Sequence, residues 1–202
     1  MKNGPIGVPT PKELSKTKKA GNSGNKIQAV VLHLITRLPK PLKGSDYHVY
    51  LDNLFVSTRF VQYTRSQGVT VTSIYRTDAR VIKELLDLQK IDKKDVIPWG
   101  ETYSIYIPNG EVCHISWKDQ VFVLMMSSFI SGDERVIQLR KRPKETSSKV
   151  KTARAPFGDQ ATKELLIPVI TDRYNYHIGA VDKFDHLIAQ NAGLYHVERG
   201  GH

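Results

Sequence analysis

Apolar residues recur at helical spacing after Asn25, in the first part of the chain that has a regular pattern. The recurring positions are Ile27, Val30, Val31, Leu34, Ile35 and Leu38. Intervals of three and four residues place side chains on one face of a helix. Asn25 is of a type that caps helices, and Pro39 is of a type that ends them. The pattern predicts a helix from about residue 25 to 38 that buries this whole set.

The next apolar segment, residues 47–52, has the composition of a short buried strand, rich in aromatic and branched side chains. Because successive side chains of a strand point to opposite faces, Val49 and Leu51 share one face and Tyr50 takes the other. Asp52 comes at the carboxyl end of this strand. The segment therefore predicts a sheet edge that carries a carboxylate.

Helical and strand patterns then alternate. Ser57 begins a short helix that ends at Gly68, residues 69–75 form a branched-residue strand, and Asp78 is a cap for a helix across 79–89. Helix, strand, helix, strand, helix is the order of an α/β layer with parallel strand pairing.

The pattern changes near residue 100, where strand signals follow one another without helices between them. The predicted strands are 102–107, 112–117, 120–126 and 135–139. Asn109-Gly110 is a strong hairpin signal between the first two. This arrangement predicts an inserted β-meander, a β-rich insertion over about 100–139, followed by a basic loop over 140–160.

A helical pattern returns after Pro168, a residue suited to a helix's first turn. Val169, Ile170 and Tyr174 share a face there, and Gly179 is expected to bend the chain. Val181, Phe184 and Ile188 then form an apolar stripe. Asp182 and Asp185, three residues apart, lie side by side on the adjacent face.

The length, composition and net charge of the chain narrow the class of protein to which it can belong. A chain of 202 residues with 40% hydrophobic content is long enough for one sizeable core. Its longest apolar run, 121–126, is far too short to cross a bilayer, so no membrane association is expected. The lone Cys113 excludes an internal disulfide, and it has no second Cys/His pair for a zinc site. The net charge of +10 favours nucleic acid or another polyanion as the partner.

The positive charge is concentrated in two tracts. Residues 1–26 carry six lysines against Glu13, and 1–24 are predicted to be a disordered basic tail. The second tract contains Arg140, Lys141, Arg142, Lys144, Lys149, Lys151 and Arg154. Two interpretations are open: solvated tethers, or segments for DNA phosphate contact and nuclear import. No aromatic residue is interleaved in the second tract, so it gives no signal for base stacking.

The carboxylates also have two interpretations. Asp52 is a turn-forming cap, or a ligand for a hard divalent cation; Asp182 and Asp185 are a solvated helix face, or part of the same site. Magnesium prefers oxygen ligands and commonly uses one or two protein carboxylates together with substrate phosphate. A strand-end aspartate and a distant helical aspartate suit such a site.

Three stretches together resemble the piggyBac-type transposases: 25–34, 47–55 and 174–185, with its Gly179-Ala-Val-Asp182-Lys-Phe-Asp185 motif. The resemblance covers about 25–202. It implies an α/β fold with a ribonuclease H-like core of the DDE transposase type and a mostly β insertion. It implies Mg²⁺-dependent cleavage and strand transfer of DNA in the nucleus. By the resemblance, Asp52 and Asp182 are the second and third metal-binding catalytic aspartates, and Asp185 is the neighbouring acid.

The chain also departs from that pattern. The first catalytic aspartate of the family has no counterpart before Asp52, where only Glu13 and Asp46 are acidic. Ala180 replaces a usual glycine and Leu54 a common tryptophan. We therefore expect an incomplete core, a truncated chain and no catalysis by this chain alone. A second copy or a full-length transposase would be the protein partner that completes the site, and a non-catalytic DNA-binding protein is the alternative.

Overall fold

The computed structural model describes residues 26–39, 46–76, 82–107, 111–145 and 150–195. The predicted tail 1–24, the predicted cap Asp78 and the basic Lys149 lie outside these ranges. The helices are α1 (Lys26–Ile35), α2 (Thr58–Ser66), α3 (Lys83–Asp92), α4 (Val150–Arg154) and α5 (Val169–Tyr195). The strands are β1 (Tyr47–Leu51), β2 (Val69–Ile74), β3 (Thr102–Tyr106), β4 (Cys113–Lys118), β5 (Phe122–Ser127), β6 (Arg135–Lys141) and β7 (Thr162–Pro168). Short 3-10 turns cover Asn53–Phe55 and Ala155–Phe157.

Five strands form one mixed sheet in the order β1-β2-β5-β4-β3. β1 and β2 are parallel, with Tyr47 opposite Val69, as the alternating pattern predicts. β3, β4 and β5 form the predicted antiparallel meander. The meander joins the sheet through β5, which pairs antiparallel with β2. The predicted α/β class is confirmed, and the meander extends the same sheet that carries β1.

Helices cover the two faces of this sheet. On one face Val49 and Leu51 pack into a core with α1, α2 and α3. On the other face Tyr50 packs into a core with Ile170 and Tyr174 of α5. The two faces of β1 are thus occupied as its alternation predicts. Among the described residues, no helix is long and apolar enough to cross a membrane.

The prediction for α1 is wrong in two respects. The helix ends at Ile35, and its apolar residues do not all face the core. Val31 and Leu32 are buried, whereas Val30 and Leu34 are 57% and 60% exposed. At 100° per residue the six predicted positions span about 140°, and the face that is buried, made of Gln28, Ala29, Val31 and Leu32, is centred about 110° away from the centre of that stripe.

Two other boundaries differ from the predictions. α3 begins at Lys83, four residues later than expected, with Ile82 at its N-cap position and no side-chain cap. α5 continues through Gly179 without the predicted bend. A glycine inside a helix costs only about 1 kcal/mol relative to alanine, and the tertiary packing of a long helix outweighs that cost.

The segment 140–160 is not one loop. It contains the end of β6, the helix α4 and a 3-10 turn, and it leads into β7, which pairs with β6 as a two-stranded ribbon. The ribbon covers a third apolar cluster made of Trp117, Phe157, Leu165 and Ile167. β7 was not predicted, although the inward alternation of Leu165 and Ile167 is its signal.

A fully buried lysine joins three parts of the fold. The Nζ of Lys118, on β4, lies 2.9 Å from Asp92 Oδ1 and 2.8 Å from Asp95 Oδ1, both at the end of α3. The Thr152 hydroxyl, on α4, donates to Asp95 Oδ2 at 2.6 Å. Burial disfavours the ammonium, but the hydrogen bonds and charges of the two aspartates outweigh it and raise the pKa of Lys118. The ion pairs therefore hold α4 and the end of α3 against the sheet.

Replacing Lys118 by methionine is expected to destabilise the protein by about 3 kcal/mol, because Asp92 keeps a buried charge without its counter-ion. Chemical denaturation measures the change. Lys90→Met is the matched control, since Lys90 pairs with Asp87 at the surface and its loss should leave the midpoint nearly unchanged. Equal midpoints for the two variants would contradict the role given to Lys118.

His114, next to the buried Cys113 thiol, is enclosed in the sheet's core. Its Nδ1 lies 3.2 Å from the Tyr75 hydroxyl and its Nε2 lies 3.3 Å from the Thr58 hydroxyl. Burial lowers the pKa of His114 to about 4. A neutral ring that bridges two hydroxyls accounts for this position without any metal.

This burial makes stability depend on pH. The pKa of His114 is 6.5 in the unfolded chain and about 4 in the folded chain. The unfolded chain therefore binds more protons between these values, and the folded state becomes less stable as the pH falls from 6.5 to 4. We expect the unfolding free energy to drop by about 2 kcal/mol over this window from His114 alone. Denaturation at pH 7, 5.5 and 4.5 measures it. His114→Gln should flatten this part of the profile, and an unchanged slope in that variant would show that other groups cause it.

Candidate functional site

Asp52 lies where β1 ends, as predicted, at the edge strand of the described sheet. Its Oδ1 accepts a hydrogen bond from the Asn53 backbone N–H at 2.6 Å and caps the short turn Asn53–Phe55. Ser57 caps α2 separately, accepting from the Phe60 N–H at 3.3 Å. The prediction that Asp52 forms a turn is therefore correct, whereas the prediction that it caps the helix after Ser57 is wrong, because Ser57 itself is the cap. A metal-binding role for the half-buried carboxylate stays a prediction.

Tyr174, buried on α5, lies within electrostatic range of this carboxylate. Burial, and then the nearby charge of Asp52, raise the pKa of the Tyr174 phenol to about 12. The phenol therefore stays protonated over the whole physiological range and can donate a hydrogen bond. The sequence pattern predicted Tyr174 only as an apolar position on a helix. Periodicity does not tell which residue of the sheet a buried tyrosine will approach.

The contacts of α5 also show its path over the sheet. The Thr171 hydroxyl, in its first turn, lies 3.5 Å from Met125 Sδ on β5, and six residues further along the helix His177 stacks on Tyr50 of β1 with ring centroids 4.3 Å apart. The helix therefore crosses the sheet from β5 to β1. Asp182 follows Tyr174 by eight residues, which is about 12 Å along the helix axis.

Asp182 and Asp185 lie in α5, and the structure does not describe their side chains. Within the described part of the chain, no three His, Cys, Asp or Glu side chains come together as a metal site. The pairing of Asp52 with Asp182 stays a prediction.

The arginines of the basic tract have partners within the protein. Arg140 pairs with Asp119 at 2.7 Å and lies over the Trp117 ring at 5.6 Å. Arg154 pairs with Glu145 at 2.9 Å. Arg142 donates to the Gly158 carbonyl at 2.8 Å. These guanidinium groups hold the ribbon and the segment after it in place.

The lysines of the tract differ from its arginines. Lys141, Lys144 and Lys151 are all exposed, the first at the end of β6 and the last on α4. Long exposed lysines meet phosphates as point charges at little structural cost. Of the tract's described residues, these three are best placed for a polyanion.

Replacing Lys141, Lys144 and Lys151 together by glutamine should weaken duplex DNA binding and reduce the log–log salt slope by about 2 to 3, since each lost phosphate contact removes about 0.9 from it. Fluorescence anisotropy over a salt series measures both quantities. The matched control neutralises Lys90, Lys93 and Lys94, which are equally exposed but lie on and after α3. If both triple variants change binding equally, only net charge matters and the tract is not a binding surface.

Comparison with known proteins adds two findings. A protein-family model described as Transposase IS4 matches residues 12–198. A solved cryo-EM structure of a piggyBac transposase synaptic complex with hairpin DNA is similar over 78% of this chain, with 19% identity and a TM-score of 0.49. The matched part is 27% of that transposase chain. The search of curated proteins gives no match.

Proposed function

The chain belongs to the transposase family described as Transposase IS4, and from this premise we propose that it is a piggyBac-type, transposase-derived domain that binds DNA. The match spans nearly the whole chain, which is the observation that carries the proposal. The net charge of +10 and the three exposed lysines of the basic tract support DNA as the partner. A nuclear location is part of the same proposal.

At the end of β1 the structure describes one oxygen ligand of the kind that magnesium prefers, the carboxylate of Asp52, so the site fits a magnesium ion in part. Asp52 supplies a half-buried carboxylate at a sheet edge, and Mg²⁺ is often held by one or two carboxylates with substrate phosphate and water. We propose Asp52 and Asp182 as the residues that would hold it, with Asp185 beside them. A bound divalent ion supplies charge stabilisation and an activated oxygen for phosphodiester chemistry.

We further propose that this chain does not cleave DNA by itself. Two-metal cleavage requires several carboxylates around two ions roughly 3.5–4 Å apart. The described residues contribute Asp52 to such a site, and the Tyr174 phenol within its electrostatic range stays neutral, so it is not an anionic ligand. Two aspartates alone would hold one ion weakly. A second copy or a full-length transposase would then complete the site.

Incubation of the purified chain with Mg²⁺ or Mn²⁺ and labelled DNA ends carrying TTAA, the target sequence that the resemblance to piggyBac-type transposases implies, tests this proposal. We expect no cleavage above that of the Asp52→Ala variant. We also expect one weak Mn²⁺ site, detected by electron paramagnetic resonance, that Asp52→Asn removes. Asp172→Asn is the matched control, because Asp172 lies in the first turn of the same helix, ten residues before Asp182.

Divalent-dependent cleavage above the Asp52→Ala level would show that the chain is a complete enzyme. The second candidate function is a non-catalytic DNA-binding protein, favoured by the exposed lysines of the basic tract. Duplex binding with no Mn²⁺ site at Asp52 would select this candidate over the first.

A further inference from the structure

Five aromatic rings form a continuous row across β1, the turn after β5 and α5. In order they are Phe129, His48, Tyr50, His177 and Tyr176. The ring centroids are 5.1, 4.6, 4.3 and 5.0 Å apart from one ring to the next. These spacings are those of interacting aromatic pairs. The row, called the ring row below, lies on the α5 side of the sheet.

The inner part of the ring row is held rigidly. The two ring nitrogens of His48 lie 2.7 Å from the Thr70 hydroxyl and 3.0 Å from the Thr72 hydroxyl. The Thr72 hydroxyl lies 2.8 Å from the Ser127 hydroxyl, which accepts the backbone N–H of Phe129 at 3.1 Å. One hydrogen-bonded chain therefore fixes both the His48 ring and the turn that carries Phe129.

His48 is also kept neutral. Burial, and then the charges of His177 and Arg173, lower its pKa to about 4. A neutral imidazole has one donor and one acceptor nitrogen, which matches its two hydroxyl neighbours. The ring is therefore an uncharged flat surface at physiological pH.

The two ends of the row are exposed to solvent. Phe129 is 61% and Tyr176 is 77% exposed, so neither ring contributes much to the core. Exposed Arg173 is close enough to His48 and Tyr50 to affect their titration, which puts a permanent positive charge beside the rings. Packing of α5 explains the inner rings, but it does not require aromatic side chains at the exposed ends.

We propose that the ring row is a stacking platform for unpaired bases of single-stranded DNA, with Arg173 meeting the adjacent phosphates. The proposal rests on the DNA-binding function given above and assigns it a strand preference. Bases of an intact duplex are already stacked on one another, whereas unpaired bases gain from aromatic faces whatever their sequence. The basic tract would then serve the duplex and the ring row the unpaired strand.

Anisotropy of a fluorescein-labelled oligothymidylate tests the platform. We expect Phe129→Ala and Tyr176→Ala each to weaken binding by about fivefold or more, since each removes stacking of about one base. The loss should persist at high salt, because stacking releases no counterions. Phe129→Tyr and Tyr176→Phe keep the rings and should bind like the wild type.

Ile137→Ala is the matched control, since Ile137 is an exposed apolar residue (63%) on β6 and not part of the row. Thermal unfolding checks that each variant is folded, and Phe129→Leu replaces Phe129→Ala if the alanine variant is not. The proposal is overturned if the ring variants bind the oligothymidylate like Ile137→Ala, or if the wild type does not bind it. Binding of duplex DNA is measured in parallel. If the protein binds the duplex but not the oligothymidylate, the ring-row proposal fails and the proposed DNA-binding function stands; if it does not bind the duplex, the DNA-binding function fails.

Discussion

The packing of α5 across β1 is the contact on which the candidate chemistry of this chain depends. Ile170 and Tyr174 bury the helix against the sheet, and the same packing brings Tyr174 within electrostatic range of Asp52. It also stacks His177 on Tyr50 and so forms the centre of the ring row. Because the helix is long and rigid, its register over β1 fixes the position of every group further along it, including the backbone of Asp182.

A second contact organises the opposite end of the sheet. Lys118 is buried between Asp92 and Asp95, and Asp95 in turn accepts the Thr152 hydroxyl. Asp95 has a positive φ of 54°, a conformation that few residues other than glycine, asparagine and aspartate adopt readily. The ion pairs hold this turn and α4 together. They thereby give the basic tract a defined position beside the ribbon, where Arg140 forms an ion pair with Asp119.

The two ends of the sheet therefore have different surfaces. One end offers rings, an arginine and a strand-end carboxylate, and the other offers exposed lysines on an ordered ribbon and short helix. Under the proposals above, the first of these surfaces would bind unpaired strands and the second would bind duplex DNA. The distribution of side chains is the physical basis of this proposed division.

The helices and strands that have a local signal could be predicted from the order of residues alone. The alternation of Val49, Tyr50 and Leu51 assigns the faces of β1, and the strand pattern after residue 100 gives the meander. The sequence also places Asp52 at a strand end and assigns the chain to an α/β class. The local prediction failed where tertiary packing overrides a local tendency, as at Gly179, where the packing of α5 outweighs the glycine's tendency to break a helix.

Contacts between residues that are distant in the sequence could be seen only in the folded protein. Periodicity gives each side chain a face, but not the residue across from it, because that depends on how one element is placed over another. The ion pair of Arg140 with Asp119 and the row of rings both arise in this way. The same holds for α1, which packs on a face centred about 110° away from its apolar stripe, a rotation that periodicity does not predict.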